Sequence, residues 1–476
     1  MDTSESATPQ KLKPLQKPHL SFISLTALVV AGMIGSGIYS TTGYALADLQ
    51  SPQLVLLAWC VAGFIAVCGA MSYGELANRI LESGGEYLYL TRFVHPFAGF
   101  LAGWVSALAG FTGAAALAAK TFEIYALQDQ LLFGWMPPGS LAVGLIVLLT
   151  IFHAIGIRVG AISQNMVVVV KLTAIAVLIG WVFWLWPEWF VNHQTSDVQV
   201  PTLQDLSTSH EQISSSASTV RQFSWLVFAT STMWISFSFT GFNSAIYVAE
   251  ESATGVSGIR RSMIFGTVIV TVLYLLLNII FLYAADPAVT TGKPNIAVLC
   301  VQEFHSDVLP GLLKIAICLG LASSVSSMLM MGPRVYQKMA QDGVFPAAVV
   351  STGTHFRFAL ALQGMAMIVV TLIAELQDLL TYLSMTLSLC SAGTVATLLF
   401  CRRDTDGNLF AKTSVLVGLA TWIYFIATIV IVALSGYGNP AKFLGTLATV
   451  VTGTIVFRVL KPQKDSASSQ STTGIR

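Results

Sequence analysis

Residues Ala31 to Ser40 read AGMIGSGIYS, and they lie inside a run from Leu20 to Ala47 that is otherwise apolar enough to cross a membrane. Backbone N–H and C=O groups cannot be left bare in lipid, so irregular backbone at that depth survives only inside protein or along a wet cavity. A break at Gly32, Gly35, Ser36 and Gly37 frees carbonyls on one half-helix end and N–H groups on the other. The carbonyls suit an ammonium group or a cation, and the N–H groups suit a carboxylate. A site with both halves fits a zwitterion. The competing reading is close helix packing through small residues, which is how Gly99 and Gly103 are read farther along.

The rest of the chain agrees with a membrane setting. Of its 476 residues, 55% are hydrophobic and 10% are charged, whereas soluble domains carry about 25% charged residues. Apolar stretches long enough to span a bilayer recur from Leu20 to Val459, and about twelve can be counted. The basic lead KLKPLQKPH runs into a full span without an Ala-x-Ala site, so no cleavable signal peptide is expected. With the N-terminus placed in the cytoplasm, most of the 24 lysines and arginines fall inside; only Arg221, Lys293 and Lys442 fall outside, and Lys120, Lys171 and Lys314 lie in or at spans. That asymmetry predicts both termini in the cytoplasm. The absence of any Asn-x-Ser/Thr sequon leans towards a bacterial inner membrane.

The polar tract between Trp186 and Phe223 is the one long interruption. Five spans precede it. The sixth carries a second break, SFSFTGFNSA, Ser236 to Ala245. Two interrupted spans five apart predict an inverted repeat, because an odd-numbered unit inserts its second copy upside down. The expected fold is therefore an all-α membrane protein of about twelve helices. Its segments are a cytoplasmic tail at 1–19, a first repeat at 20–186, an external loop at 187–222, a second repeat at 223–401, an appended helix pair at 402–460 and a cytoplasmic tail at 461–476.

These residues resemble the amino acid/polyamine/organocation transporter superfamily, over nearly the whole chain. GMIGSGIY is similar to its first-span motif, AMSYGELANRILESGGEYLYL (Ala70 to Leu90) to its second span and cytoplasmic loop, FTGFNSAIYVAEE (Phe239 to Glu251) to its sixth span, and GPRVYQKMAQDGVFP (Gly332 to Pro346) to the end of its eighth. Leu81 replaces a usual proline, and TGVSGIR (Thr254 to Arg260) replaces the usual NPxRxIP. The resemblance implies the leucine-transporter fold, with discontinuous helices 1 and 6. It implies that N–H groups around Gly35, Ser36 and Gly37 bind a carboxylate, while carbonyls near Met33, Phe237 and Thr240 receive an amino group. The Phe237 ring would be the aromatic gate, and Gly241 and Asn243 would complete the second break. Asn243 stands where some relatives carry an acid, and Thr112, Ala114 and Ala115 are candidate pocket walls, so a neutral side chain is favoured.

Lys171 sits in mid-span with no acidic residue within a turn along the sequence. Such a lysine must face protein or water. By resemblance it stands for a bound sodium ion and carries the coupling proton; the alternative is a structural pairing. Glu75, Glu250 and Glu251 read as gate or boundary contacts at span ends, and Lys120, near Glu123, as local pairing or snorkelling. The scattered cysteines and histidines show no metal spacing, and no phosphate-binding Gly-x-x-x-x-Gly-Lys loop is present.

The expected function is secondary active transport of amino acids or related small amines by alternating access, as proton symport or exchange. A non-transporting amino acid sensor with the same fold is the alternative. A membrane enzyme is disfavoured, since the hydroxyls of SSVSS have no nearby His or Asp in the sequence. The expected partners are a small-molecule substrate, protons and the lipid bilayer, acting on a monomer or homodimer; no cofactor, metal or nucleic acid is expected.

Overall fold

A computed structural model describes residues 20–127, 136–155, 169–181, 184, 223–302, 309–345, 354–401 and 413–460, with the backbone alone at 309 and 354–356. The two tails, the 187–222 loop, the tryptophan-rich segment beyond 184 and the basic residues Arg158, Arg402, Arg403 and Lys412 lie outside them.

Each of the twelve apolar stretches carries a helix. In order these are α1 (Phe22–Met33) with α2 (Ser36–Leu49), α3 (Pro52–Arg79), α5 (Pro96–Ala126), α6 (Ser140–Ile155) and α7 (Val169–Trp181). Then come α8 (Trp225–Ser238), α9 (Gly255–Tyr283), α10 (Leu309–Gln341), α11 (Thr354–Ile373), α12 (Leu376–Phe400), α13 (Val415–Gly438) and α14 (Pro440–Leu460). A short helix, α4 (Gly85–Phe93), joins α3 to α5. Among the described residues, seven helices are long and apolar enough to cross a bilayer singly, and α1 with α2 makes an eighth span bent by 43°. No strand occurs among the described residues, so this is an all-α membrane protein.

Local chemistry explains the helix starts. Ser21 accepts the Ser24 N–H at 3.2 Å, and Ser51 accepts that of Leu54 at 3.3 Å with Pro52 in the first turn, both standard caps for orphan donors. The Glu123 carboxylate does the same at the start of α6, taking the N–H groups of Gly139 at 2.5 Å and Ala142 at 2.8 Å. Lys120 therefore does not pair with Glu123; it donates to the Thr371 carbonyl at 2.8 Å. Hydroxyls within spans bond back one turn, as Thr121 to Leu117 and Thr267 to Met263 do, which satisfies them without solvent.

Small residues set the helix contacts. A Cβ on Gly63 would strike Thr271 of α9, one on Gly99 would strike Thr91 of α4, and one on Gly103 would strike Met339 of α10. Close packing is thus the role of Gly99 and Gly103.

Candidate functional site: a cavity at two broken helices

The first break is short. Only Ile34 and Gly35 leave the helix, with Gly35 extended at φ −132°, ψ −152°, and Ser36 and Gly37 already open α2. The three glycines divide the work. Gly35 unwinds the chain, whereas Gly32 and Gly37 permit contact with the second broken span: added Cβ atoms would meet Ser244 Oγ and, at 2.8 Å, Ser238 Cα. Both readings of the glycine run, unwinding and close packing, are therefore realised at different residues.

The second break runs from Phe239 to Asn243, between α8 and a 3-10 segment, Ser244–Glu251. Its pivot is Gly241 at φ +106°, and a Cβ there would come within 2.6 Å of the Gly32 carbonyl oxygen. That conformation and that approach both demand glycine. The two breaks therefore touch backbone to backbone.

Two side chains from outside the breaks hold them. Lys171 on α7 donates to the Ala31 carbonyl at 3.1 Å and the Ile34 carbonyl at 2.6 Å, and it is 4% exposed. Tyr274 on α9 donates to the Met33 carbonyl at 2.7 Å and lies 3.1 Å from that of Ser238, so one hydroxyl stands between both breaks. Asn278, one turn on, donates to the Tyr274 carbonyl at 2.8 Å and accepts from Thr42 at 2.6 Å. Sequence reading missed Tyr274 and Asn278. The signal was there: a polar pair four residues apart in an apolar span.

A cavity of about 710 Å³ lies beside the breaks. It extends along α1 from Gly32 to Leu20 and meets the second break at Thr240, Gly241 and Asn243; α2 contributes nothing to its wall. Among the residues singled out from sequence, Ala114, Lys171, Thr240, Gly241 and Asn243 line it, whereas Met33, Gly35, Ser36, Gly37, Phe237, Thr112 and Ala115 do not. The Phe237 ring is buried in an apolar cluster with Val105, Trp234 and Leu380. Rings that do face the cavity belong to Phe111, Phe239, Phe242, Tyr247 and Tyr424. The Phe237 carbonyl already accepts the Thr240 N–H at 3.0 Å and its hydroxyl at 2.7 Å.

Three features of the wall were not read from sequence. Ser106 to Gly113 of α5 form a π-helical stretch that turns Ser106, Gly110 and Phe111 to the cavity, a distortion frequent at functional sites. The serine run of α10, set aside for want of a nearby His in the sequence, places Ser323, Ser324 and Ser327 on the wall, and its Ser326 hydroxyl does meet a histidine, His153 Nε2 of α6 at 2.8 Å. Glu86 of the SGGEY motif lines it too.

The span ends near Leu20 are tied together. Leu20 N–H donates to the Glu251 carbonyl at 2.9 Å, and Ala253 N–H to the Leu20 carbonyl at 2.9 Å. Glu250 accepts the Ser83 N–H at 3.3 Å, and Glu75 lies 3.8 Å from Arg79.

A bundle of membrane helices with two broken spans meeting at a largely apolar cavity defines the class of multi-pass membrane proteins with discontinuous helices. The chain belongs to the amino acid permease family, whose profile matches residues 20–457. It is 27% identical over 347 residues to the human large neutral amino acids transporter small subunit 2, covering 70% of this chain and 59% of that protein. It is 25% identical over 403 residues to the human Asc-type amino acid transporter 1, covering 81% of this chain and 72% of the relative. Against the Bacillus subtilis serine/threonine exchanger SteT it is 25% identical over 346 residues, 72% of each chain. The chain thus spans about three-fifths of the length of the large neutral amino acids transporter subunits it matches.

Proposed function

We propose that the protein is a secondary active transporter of neutral amino acids or related small amines, working by alternating access. The observation that carries this is the cavity at which both broken spans meet, with a lysine amine on the carbonyls freed by the first break. The N–H groups at the start of α2, around Ser36 and Gly37, lie outside the cavity wall and take the substrate carboxylate once the space between the breaks opens towards them. The carbonyl side of the breaks, near Met33 and Thr240, takes the ammonium group. Gly35, Gly241 and Asn243 shape the pocket, and Ala114 bounds the side chain. Phe237 serves as gate only if its ring leaves its core cluster, so the rings already on the cavity, such as Phe239, share that role.

The cavity extends to the Leu20 end of α1 and not along α2. With the basic loop residues in the cytoplasm, as the charge asymmetry favours, this is an inward-facing arrangement in a bacterial inner membrane with both termini inside. The chain divides into repeats at 20–186 and 223–401 with α13 and α14 appended, and acts as a monomer or homodimer. Transport is by proton symport or by exchange, and Lys171 carries the coupling: its amine holds Ala31 and Ile34 as a bound cation would. Nothing in this mechanism calls for an enzyme's nucleophile or a cofactor.

The test is uptake of a labelled amino acid and amine panel into proteoliposomes under a proton gradient, a sodium gradient, or with unlabelled substrate preloaded. Accumulation under the proton gradient means symport, and uptake only after preloading means exchange. Silence across the panel, with binding retained, would replace the transporter by a sensor.

A further inference from the structure

We propose that Glu86 anchors a second subsite in the same cavity, one that takes a primary ammonium group. Glu86 and Lys171 are the two charged side chains on the cavity wall among the described residues. Lys171 is already bonded to the Ala31 and Ile34 carbonyls. Glu86 is 7% exposed, and none of the ion pairs among the described residues includes it.

Its surroundings are those of an anion awaiting a cation. Oε1 accepts the Tyr73 hydroxyl and, at 3.0 Å, the Ser391 hydroxyl; among the described residues Oε2 accepts only the Cys390 thiol, at 3.0 Å. A thiol is a weak donor, and a carboxylate has about four lone-pair sites, so Oε2 keeps capacity for a further donor. Burying a carboxylate with no cation is expensive, and the first turn of α4 compensates it only in part.

Aromatic rings share the cavity wall with the carboxylate. Among them are Tyr247, Phe242 and Tyr424, and the Phe242 ring stands edge-on to Tyr73 at 5.3 Å and to Tyr424 at 6.1 Å. The Tyr247 ring lies directly against Gly85, where φ is +62° and an added Cβ would come within 2.7 Å of its Cζ. A carboxylate and aromatic rings on one cavity wall supply the two kinds of group that recognise an organic ammonium. Only the natural ligand, a transported amino acid's own ammonium or a free amine, rests on the transport reading.

The probe is ethylammonium chloride, which carries the ammonium but no carboxylate for the start of α2. It is added to the purified full-length chain in detergent, against sodium chloride of equal concentration. Binding to the native state raises the denaturation midpoint by mass action. The midpoint should rise for the wild type and for Glu86→Asp, while Glu86→Gln should raise the half-saturating concentration by about tenfold or more. Tyr247→Leu removes a ring but no charge; it should raise that concentration about threefold, and it decides the matter should Glu86→Gln fail to fold. No response in the wild type, or an equal response in the variants, overturns the subsite. Counterflow of labelled L-serine and L-leucine in proteoliposomes then separates the two sources. A raised half-saturating concentration in Glu86→Gln assigns the subsite to the amino acid's ammonium, and an unchanged one assigns it to a free amine. No counterflow in the wild type would count against transport, with the melting result still deciding Glu86.

Discussion

At the first break a lysine amine holds two carbonyls and a tyrosine hydroxyl a third, whereas at the second the backbone closes on itself. There Phe239, Thr240, Phe242 and Ser244 each donate their N–H to the carbonyl three residues back, and the Thr240 and Ser244 hydroxyls cap Phe237 and Gly241 at 2.7 and 2.6 Å. Both arrangements meet the requirement that no backbone group stay bare at membrane depth. They differ in what they depend on. The second break is held mainly by its own neighbours, so its shape is a local property. The first is held from α7 and α9, so its shape answers to any shift of those helices against α1. A change at the first break therefore reaches two other helices directly.

The largest effect should come from Lys171→Ala. Ala31 and Ile34 lose their donor, and accumulation across a pH gradient should vanish or become sodium-dependent, as labelled uptake in proteoliposomes would reveal. Unchanged uptake would make the lysine a structural prop and erase the contrast between the breaks.

Next is Gly241→Ala, which combines a forbidden φ with collision against the Gly32 carbonyl. It should cost about 2 to 4 kcal/mol, visible as a lowered denaturation midpoint in detergent. A midpoint within error of the wild type would mean that the breaks do not touch as described.

Tyr274→Phe removes the hydroxyl that meets a carbonyl of each broken span. Hydrogen bonds inside membrane proteins average about 0.6 kcal/mol, so a loss of about 1 kcal/mol is expected, together with weaker substrate binding in a competition assay. The smallest effect belongs to Thr240→Val. The Phe237 carbonyl keeps its backbone donor, and the loss should stay under about 1 kcal/mol. If Thr240→Val proves worse than Tyr274→Phe, the second break is not the self-sufficient one.

Much of this molecule follows from local pattern. Apolar runs fix where helices lie, because any backbone in lipid must satisfy its own hydrogen bonds, and the twelve stretches each hold one. The two breaks were legible within Gly32 to Gly37 and within Ser236 to Ala245, since two glycine-bearing polar interruptions five spans apart are more than close packing alone requires. Lys171 was legible as a residue needing a partner, for the same energetic reason.

What those residues touch was not legible. Lys171 meets Ile34 across 137 positions of sequence, and Tyr274 meets Met33 from a separate span. Phe237 turns its ring into the core with Trp234, while Phe239, two residues on, lines the cavity. A helix pattern gives the angle between neighbouring side chains and leaves open which face of the span looks inward. Glu86 shows the same limit, for its motif was plain but its Tyr73, Cys390 and Ser391 shell comes from α3 and α12. The sequence by itself determined the membrane helices, the two interruptions and the need for buried charge to find a partner. Only the tertiary structure decided which carbonyl, hydroxyl or ring each of them meets, because those contacts depend on how separate helices pack, and no local rule encodes that.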